Sequence, residues 1–161
     1  MPRSLSQVVL HVVFSTKNRY PWLMQPVRGR LHAYMEATAR ELERCVCYRV
    51  GGVEDHVHLA IGLSRTITIA DLVQHVKTSS SRWVKEQDAS LEQFAWQKGY
   101  AAFSVYHPDL DRSLGYIDGQ EEHHRRSSFQ EEYRAFMQEQ AMEFDERYVW
   151  DGYPSHGCVA P

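Results

Sequence analysis

His56-Val57-His58 lies in the run Val53-Glu54-Asp55-His56-Val57-His58-Leu59-Ala60-Ile61, and this run limits the possible folds most. Side chains alternate along a strand. Val57, Leu59 and Ile61 therefore share an apolar face that needs a core, and His56 and His58 share the opposite face. Two imidazoles about 7 Å apart along a strand can converge on one metal ion. A histidine pair at this spacing also arises where each ring satisfies a local hydrogen bond, and it opens several metal-hydrolase signatures. A second motif has to decide.

The rest of the chain predicts what surrounds that strand. Residues 7–14 are β-branched and apolar and predict a buried first strand, followed by a basic turn at Lys17-Asn18-Arg19. Pro26 suits the first turn of a helix. Val27, Leu31, Tyr34, Met35 and Leu42 then recur at helical spacing up to Arg44, with Thr38 the polar member of the stripe. Residues 45–50 predict a second strand and residues 56–63 a third, joined by a turn at Glu54-Asp55. Thr66 or Thr68 can cap a second helix with Ile69, Leu72, Val73, Val76 and Trp83 along its stripe. Residues 100–105 predict the fourth strand. The order strand, helix, strand, strand, helix, strand is the split β-α-β of a ferredoxin-like, RRM-like α+β sandwich with an antiparallel sheet. Additional C-terminal helices follow, one starting at Pro108 and continuing to His124. The other is opened by the capping box Ser128-Phe129-Gln130-Glu131 and packs through Phe129, Tyr133, Phe136 and Met137.

Length fits one domain over residues 1–161, with the core sandwich at about 5–106, helices at about 108–143 and a tail at 144–161. A hydrophobic content of 43% with 24% charged residues is that of a globular protein. No apolar run approaches the roughly 20 residues of a membrane span, and the start lacks the apolar stretch of a signal peptide. Three cysteines without a Cys-x-x-Cys pair make no disulfide framework, so a reducing cytoplasm is expected. The net charge of −3 hides an asymmetry: residues 1–98 carry 13 basic against 9 acidic side chains, and residues 99–161 carry 5 against 12. The first part can still present a modest basic face to nucleic acid.

The second motif lies on the helix after Pro108. Leu110, Leu114 and Ile117 are spaced to form its core face, and Tyr116 is rotated about 100° from them. Gln120 lies one turn beyond Tyr116 on the same side, continued by His123 or His124. Gly115 and Gly119 bracket the tyrosine and weaken the helix by roughly 1 kcal/mol each relative to Ala.

His-hydrophobe-His on a central strand, followed by Tyr-x-x-x-Gln on a later helix, resembles the HUH single-tyrosine transposases of bacterial insertion sequences. These are single-strand transposases that include REP-associated tyrosine transposase relatives. The resemblance extends through His11-Val12-Val13-Phe14-Ser15-Thr16-Lys17, Val76-Lys77-Thr78-Ser79-Ser80-Ser81-Arg82-Trp83 and Gly99-Tyr100-Ala101-Ala102-Phe103-Ser104-Val105. It continues from Gln120-Glu121-Glu122-His123-His124 to Glu143-Phe144-Asp145-Glu146-Arg147-Tyr148. It implies Tyr116 as the nucleophile and His56, His58 and Gln120 as metal ligands. It also implies Mg²⁺ or Mn²⁺ as the ion, a homodimer, and single-stranded DNA with hairpin ends as the substrate.

The residue types suit that chemistry. A phenol with a pKa of about 10 is a poor nucleophile at neutral pH, and a divalent ion would polarise the scissile phosphate. Two imidazoles and an amide oxygen are compatible with Mg²⁺, Mn²⁺ or Zn²⁺. Attack by Tyr116 would leave a 5′-phosphotyrosine and a free 3′-hydroxyl, an exchange that needs no ATP. Lys17, Arg19, Lys77, Arg82 and Lys85 are candidate DNA-backbone contacts, each also readable as a solvated surface charge. Trp83, Trp96 and Trp150 could stack bases or pack in a core. His123 and His124 could contact DNA or metal, or stay on the surface. Glu54 and Asp55 read as turn residues, although a carboxylate there might reach a metal. Arg125 and Arg126 suit the carbonyl end of the tyrosine helix. Two other classes stay open: a metal-dependent hydrolase that would not need Tyr116, and a non-catalytic nucleic-acid-binding module. A domesticated relative that nicks DNA without moving an element is a third possibility.

Overall fold

The computed structural model describes residues 4–149 except Glu43. Four strands, β1 (Val9–Ser15), β2 (Val46–Gly52), β3 (His56–Gly62) and β4 (Ala101–Val105), pair in the order β2-β3-β1-β4. Every neighbouring pair is antiparallel. With α1 (Val27–Glu41) after β1 and α2 (Ile69–Lys85) after β3, this is the expected ferredoxin-like sandwich. Each strand starts and ends within two residues of its expected position. The first helix ends earlier than its apolar pattern, at Glu41 rather than Arg44, because Leu42 turns to extended backbone.

Alternation gives the sheet two different faces. Leu10, Val12, Phe14, Val57, Leu59 and Ile61 point to α1 and α2, forming the main core with Leu31, Met35, Leu72, Val73 and Val76. Thr68 caps α2 by accepting from the Asp71 N–H, as its residue type predicts. Trp96 is buried edge-on to Phe14 at 4.9 Å and donates through Nε1 to Ser80 Oγ at 3.0 Å. Trp83 stacks on Tyr34 at 5.3 Å. Both tryptophans serve the core, and Trp150 lies outside the described residues. Cys45 and Cys47 are buried and free.

The opposite face carries His11, Val13, His56, His58 and Phe103. The antiparallel register sets Val13 against His58, Ser15 against His56 and His11 against Phe103. The C-terminal helices cover this face. The predicted helix over residues 108–124 is divided at Gly119 into α3 (Leu110–Asp118) and α4 (Gln120–His124). Gly119 adopts φ −84°, ψ 10° at the junction, and its low helix propensity favours a break there. The break turns Gln120 inward until it is 1% exposed. Next comes α5 (Phe129–Glu139), whose Ser128/Glu131 capping box is present in both directions. Its Phe129, Tyr133 and Met137 bury against Val13, Ala101 and Phe103.

Gly51 lets α3 approach the sheet. A Cβ at that position would stand 2.6 Å from Ile117 Cγ2 and 2.8 Å from the Ile117 carbonyl oxygen. The Gly51→Ala substitution is expected to cost about 1–3 kcal/mol by overpacking. Chemical denaturation measures this, and an unchanged midpoint would contradict the close seating of α3 on β2.

Candidate active site

The site is built where β3, α3, α4 and α5 meet. His56 and His58 are both fully buried on the covered face of β3. Asp55 Oδ1 lies 2.6 Å from His56 Nδ1, so the ring donates there and turns Nε2 inward. His56 Nε2 lies 3.2 Å from Gln120 Oε1 and 3.5 Å from Glu132 Oε2. Burial pulls the His56 pKa down, but Asp55 and Glu132 outweigh it and hold it up at about 9.

His58 is oriented differently, with Nδ1 lying 2.8 Å from His11 Nε2. Burial first, then His58, pushes His11 down to about 3. A neutral His11 that accepts from His58 Nδ1–H leaves the His58 Nε2 lone pair free. That nitrogen lies 2.9 Å from Glu132 Oε1 but off the line of a hydrogen bond, so it is buried without a hydrogen-bond partner. Burial pushes His58 down to about 4, with Glu132 opposing.

Glu132 is the centre of the cluster. It is 3% exposed, accepts from Tyr116 Oη at 2.5 Å, and is hydrogen-bonded to His124 Nε2. Burial alone would raise its pKa, but His124, His56 and His58 hold it well below the usual carboxylate range. Burial and then Glu132 push the Tyr116 phenol above its ordinary value. The Tyr116 ring packs 5.8 Å from His58 and 5.6 Å from Phe136, and Gln120 Nε2 donates to the Tyr116 carbonyl at 3.3 Å.

The ligand atoms of His56, His58, His124 and Glu132 all lie within 4.8 Å of one another, and these four residues could hold a metal ion. The free Nε2 of His58 and the inward Nε2 of His56 fit a divalent cation, as does the Gln120 oxygen beside them. Asp55 and His11 act behind the imidazoles as orienting partners.

The structure thus brings together Tyr116, His56, His58 and Gln120. Two residues join them from outside the expected set. Glu132 lies three residues after Phe129 and next to Tyr133, and the one signal for it in the sequence is an acid on an otherwise apolar stripe. His124 is one of the two histidines left open between surface, DNA and metal. Asp55 reaches a histidine rather than solvent, and Glu54 pairs with the buried Arg28 at 3.5 Å. Arg125 and Arg126 pair with Glu122 at 2.8 and 3.6 Å.

The basic candidates do not gather at one place. Lys17 and Arg19 form a short turn tied to Asp55 through Thr16, whose backbone N–H donates to the Asp55 carbonyl at 2.8 Å. They stand at the His56 end of the sheet. Arg82 and Lys85 are exposed on α2, which packs on the other face. Lys77 Nζ lies over the Phe14 ring at 4.8 Å and donates to the carbonyls of Gln97 at 2.9 Å and Gly99 at 2.7 Å. The Lys77→Met substitution is expected to cost about 1.5–3 kcal/mol, and a thermal or urea melt measures it. An unchanged melt combined with weakened DNA binding would instead make this lysine a DNA contact.

In this chain a ferredoxin-like sheet carries paired histidines that face a helical tyrosine. The profile of the IS200-like transposases matches residues 4–120, and the chain belongs to this family of DNA transposases. No curated protein sequence matches it. Its structure is similar to a protein from Deinococcus radiodurans R1 assigned as a transposase. The TM-score is 0.60 and the identity 22%, covering 74% of this chain and 98% of that one. It is also similar to a REP-associated tyrosine transposase bound to a REP hairpin. There the TM-score is 0.56 and the identity 12%, covering 77% of this chain and 73% of that one. At such identities the likeness shows the fold alone. Among the described residues no helix is long and apolar enough to cross a membrane.

Proposed function

We propose that this protein is an HUH endonuclease that cleaves and rejoins single-stranded DNA through Tyr116. The observation that carries the reading is the convergence of the Tyr116 hydroxyl, the two strand histidines and Gln120 around one buried carboxylate. The Tyr116 oxygen forms a bond to phosphorus as the bond from phosphorus to the 3′ oxygen breaks. The phenol proton has Glu132 as its acceptor, and the departing 3′ oxygen takes up a proton to become a hydroxyl. The product is a 5′-phosphotyrosine. Attack by a 3′-hydroxyl of another strand reverses the exchange, so rejoining needs no ATP.

His56, His58 and Gln120 would hold a divalent ion, with His124 and Glu132 as further donors. Bound there, the ion supplies Lewis-acid polarisation of the phosphate. Of Mg²⁺ and Mn²⁺, the imidazole-rich donor set favours Mn²⁺, because Mg²⁺ prefers oxygen ligands and dehydrates reluctantly. Glu132 raises the phenol pKa, and a positive charge in the same place acts in the opposite direction.

The tyrosine and the histidines meet within one chain, which supports a site complete in each subunit of the proposed homodimer. Hairpin-ended DNA is the proposed substrate, by analogy with the REP hairpin bound to the related structure. Lys17 and Arg19 are proposed to contact the strand backbone beside His56. Arg82 and Lys85 serve only DNA that reaches the far face of the sheet, such as a hairpin stem.

The test uses single-stranded DNA from the gene's own genomic flanks, labelled at either end, with Mn²⁺, Mg²⁺ or EDTA on a denaturing gel. A 3′-labelled fragment that migrates with the protein, and a 5′-labelled fragment released with an extendable 3′-hydroxyl, are the expected products. Two free fragments would make water the nucleophile and favour the hydrolase. Binding of every flank without cleavage would favour the binding module.

A further inference from the structure

We propose that the cleft beside Tyr116 is a binding site for a single unpaired nucleobase next to the scissile phosphate, with preference for a base bearing an exocyclic amino group. The inference rests on the strand-transfer reading for its placement, but not for its chemistry. The cleft has a volume of about 410 Å³, within the range of about 300–1,000 Å³ typical of small-ligand sites. It lies between the ends of β4, α3 and α5.

Its floor is aromatic. Phe103 and Phe136 stack at 5.3 Å with their planes 24° apart, and His11 meets Phe136 edge-on at 5.3 Å. Tyr116 forms the wall it shares with the histidine cluster, and Tyr106 stands at the rim with 73% of its surface exposed. An exposed tyrosine at the rim of an aromatic-lined cleft offers a stacking surface suited to any base.

The rim supplies the discrimination. Asp109 and Arg112 on one side and Glu139 on the other line the cleft, and none of the three makes an ion pair among the described residues. Two carboxylates against one guanidinium disfavour a phosphate inside the cleft, while Arg112 can meet a phosphate at its mouth. A carboxylate accepts from the N4 amino group of cytosine. Thymine offers a carbonyl oxygen at that position, and oxygen facing carboxylate is repulsive. The preference therefore runs toward cytosine and against thymine.

Fluorescence anisotropy in EDTA, so that no strand is cleaved, tests the site with labelled dC12 and dT12. The wild-type protein is expected to bind dC12 about tenfold more tightly than dT12. The Asp109→Ala, Glu139→Ala double variant, altered only at exposed positions, should bring the ratio near one, and Tyr106→Ala should weaken both strands. Equal affinities in the wild type, or a preference that survives the double substitution, would overturn the proposal. Ultraviolet crosslinking of a dT12 strand with one central 5-iododeoxycytidine gives a second readout. Crosslinks on Tyr106, Phe103 or Phe136 are expected, and crosslinks confined to other residues would overturn the site. A cytosine preference without any tyrosine adduct would remove the strand-transfer reading and keep the base site. An adduct without the preference would do the reverse.

Discussion

Replacing Tyr116 with phenylalanine is expected to abolish the covalent protein–DNA product, a loss on the order of 10³-fold or more, while leaving the fold and single-strand affinity close to wild type. The hydroxyl is the only group removed, and among the described residues it donates to Glu132. That carboxylate keeps its imidazole neighbours His124, His56 and His58. The stability change should therefore stay within about 1.5–3 kcal/mol. Anisotropy with single-stranded DNA, a urea melt and a single-turnover adduct assay separate the three effects. Undiminished cleavage by Tyr116→Phe would transfer the reaction to water and make the histidine cluster a hydrolase centre.

The second large effect falls on Glu132. It is buried, and it joins the tyrosine to the three imidazoles. Replacement by alanine leaves the buried histidines without their carboxylate and should cost about 3–5 kcal/mol of unfolding free energy in EDTA. It should also weaken Mn²⁺ binding at least about tenfold, measured by calorimetry or by the Mn²⁺ paramagnetic resonance signal. Adduct formation should fall by about 10²-fold or more through loss of the phenol's proton acceptor. Glu132→Gln keeps the shape and tests charge alone, so metal affinity and adduct yield should drop while the melt recovers in part. Stronger adduct formation by either variant would mean that Glu132 blocks the site rather than serving it.

Much of this arrangement was legible in the chain. Period-two alternation needs only neighbouring residues, so the run from Val53 to Ile61 announces both its core face and its histidine face. The β-branched strands and capped helices are equally local signals, which is why Thr68 and Ser128 cap the helices as expected. The tyrosine helix was visible through its stripe, but its break at Gly119 was not. That break sets Gln120 beside His56, 64 residues away in sequence.

Long-range pairing also hid Glu132. A helical stripe shows which side of α5 is buried without showing which sheet face receives it, and an acid on that stripe has no meaning until three histidines surround it. Lys77 shows the converse limit. On a helix it resembles any surface cation, yet its ammonium is held by carbonyls about 20 residues further along the chain. Residues 99–161 carry 12 acidic against 5 basic side chains. Part of that acidity is offset locally, since Glu132 is buried in the histidine cluster and the exposed Asp118 and Glu121 pair with Arg49 and Arg28.

The most direct measurement is mass spectrometry of the trypsin-digested protein after reaction with single-stranded DNA and Mn²⁺. Cleavage after Arg112 and Arg125 yields a peptide spanning residues 113–125, in which Tyr116 is the only tyrosine. A nucleotide attached through its 5′-phosphate to that peptide is the predicted result. Cleaved DNA with residues 113–125 unmodified, or a nucleotide carried by another peptide, would contradict Tyr116 as the nucleophile.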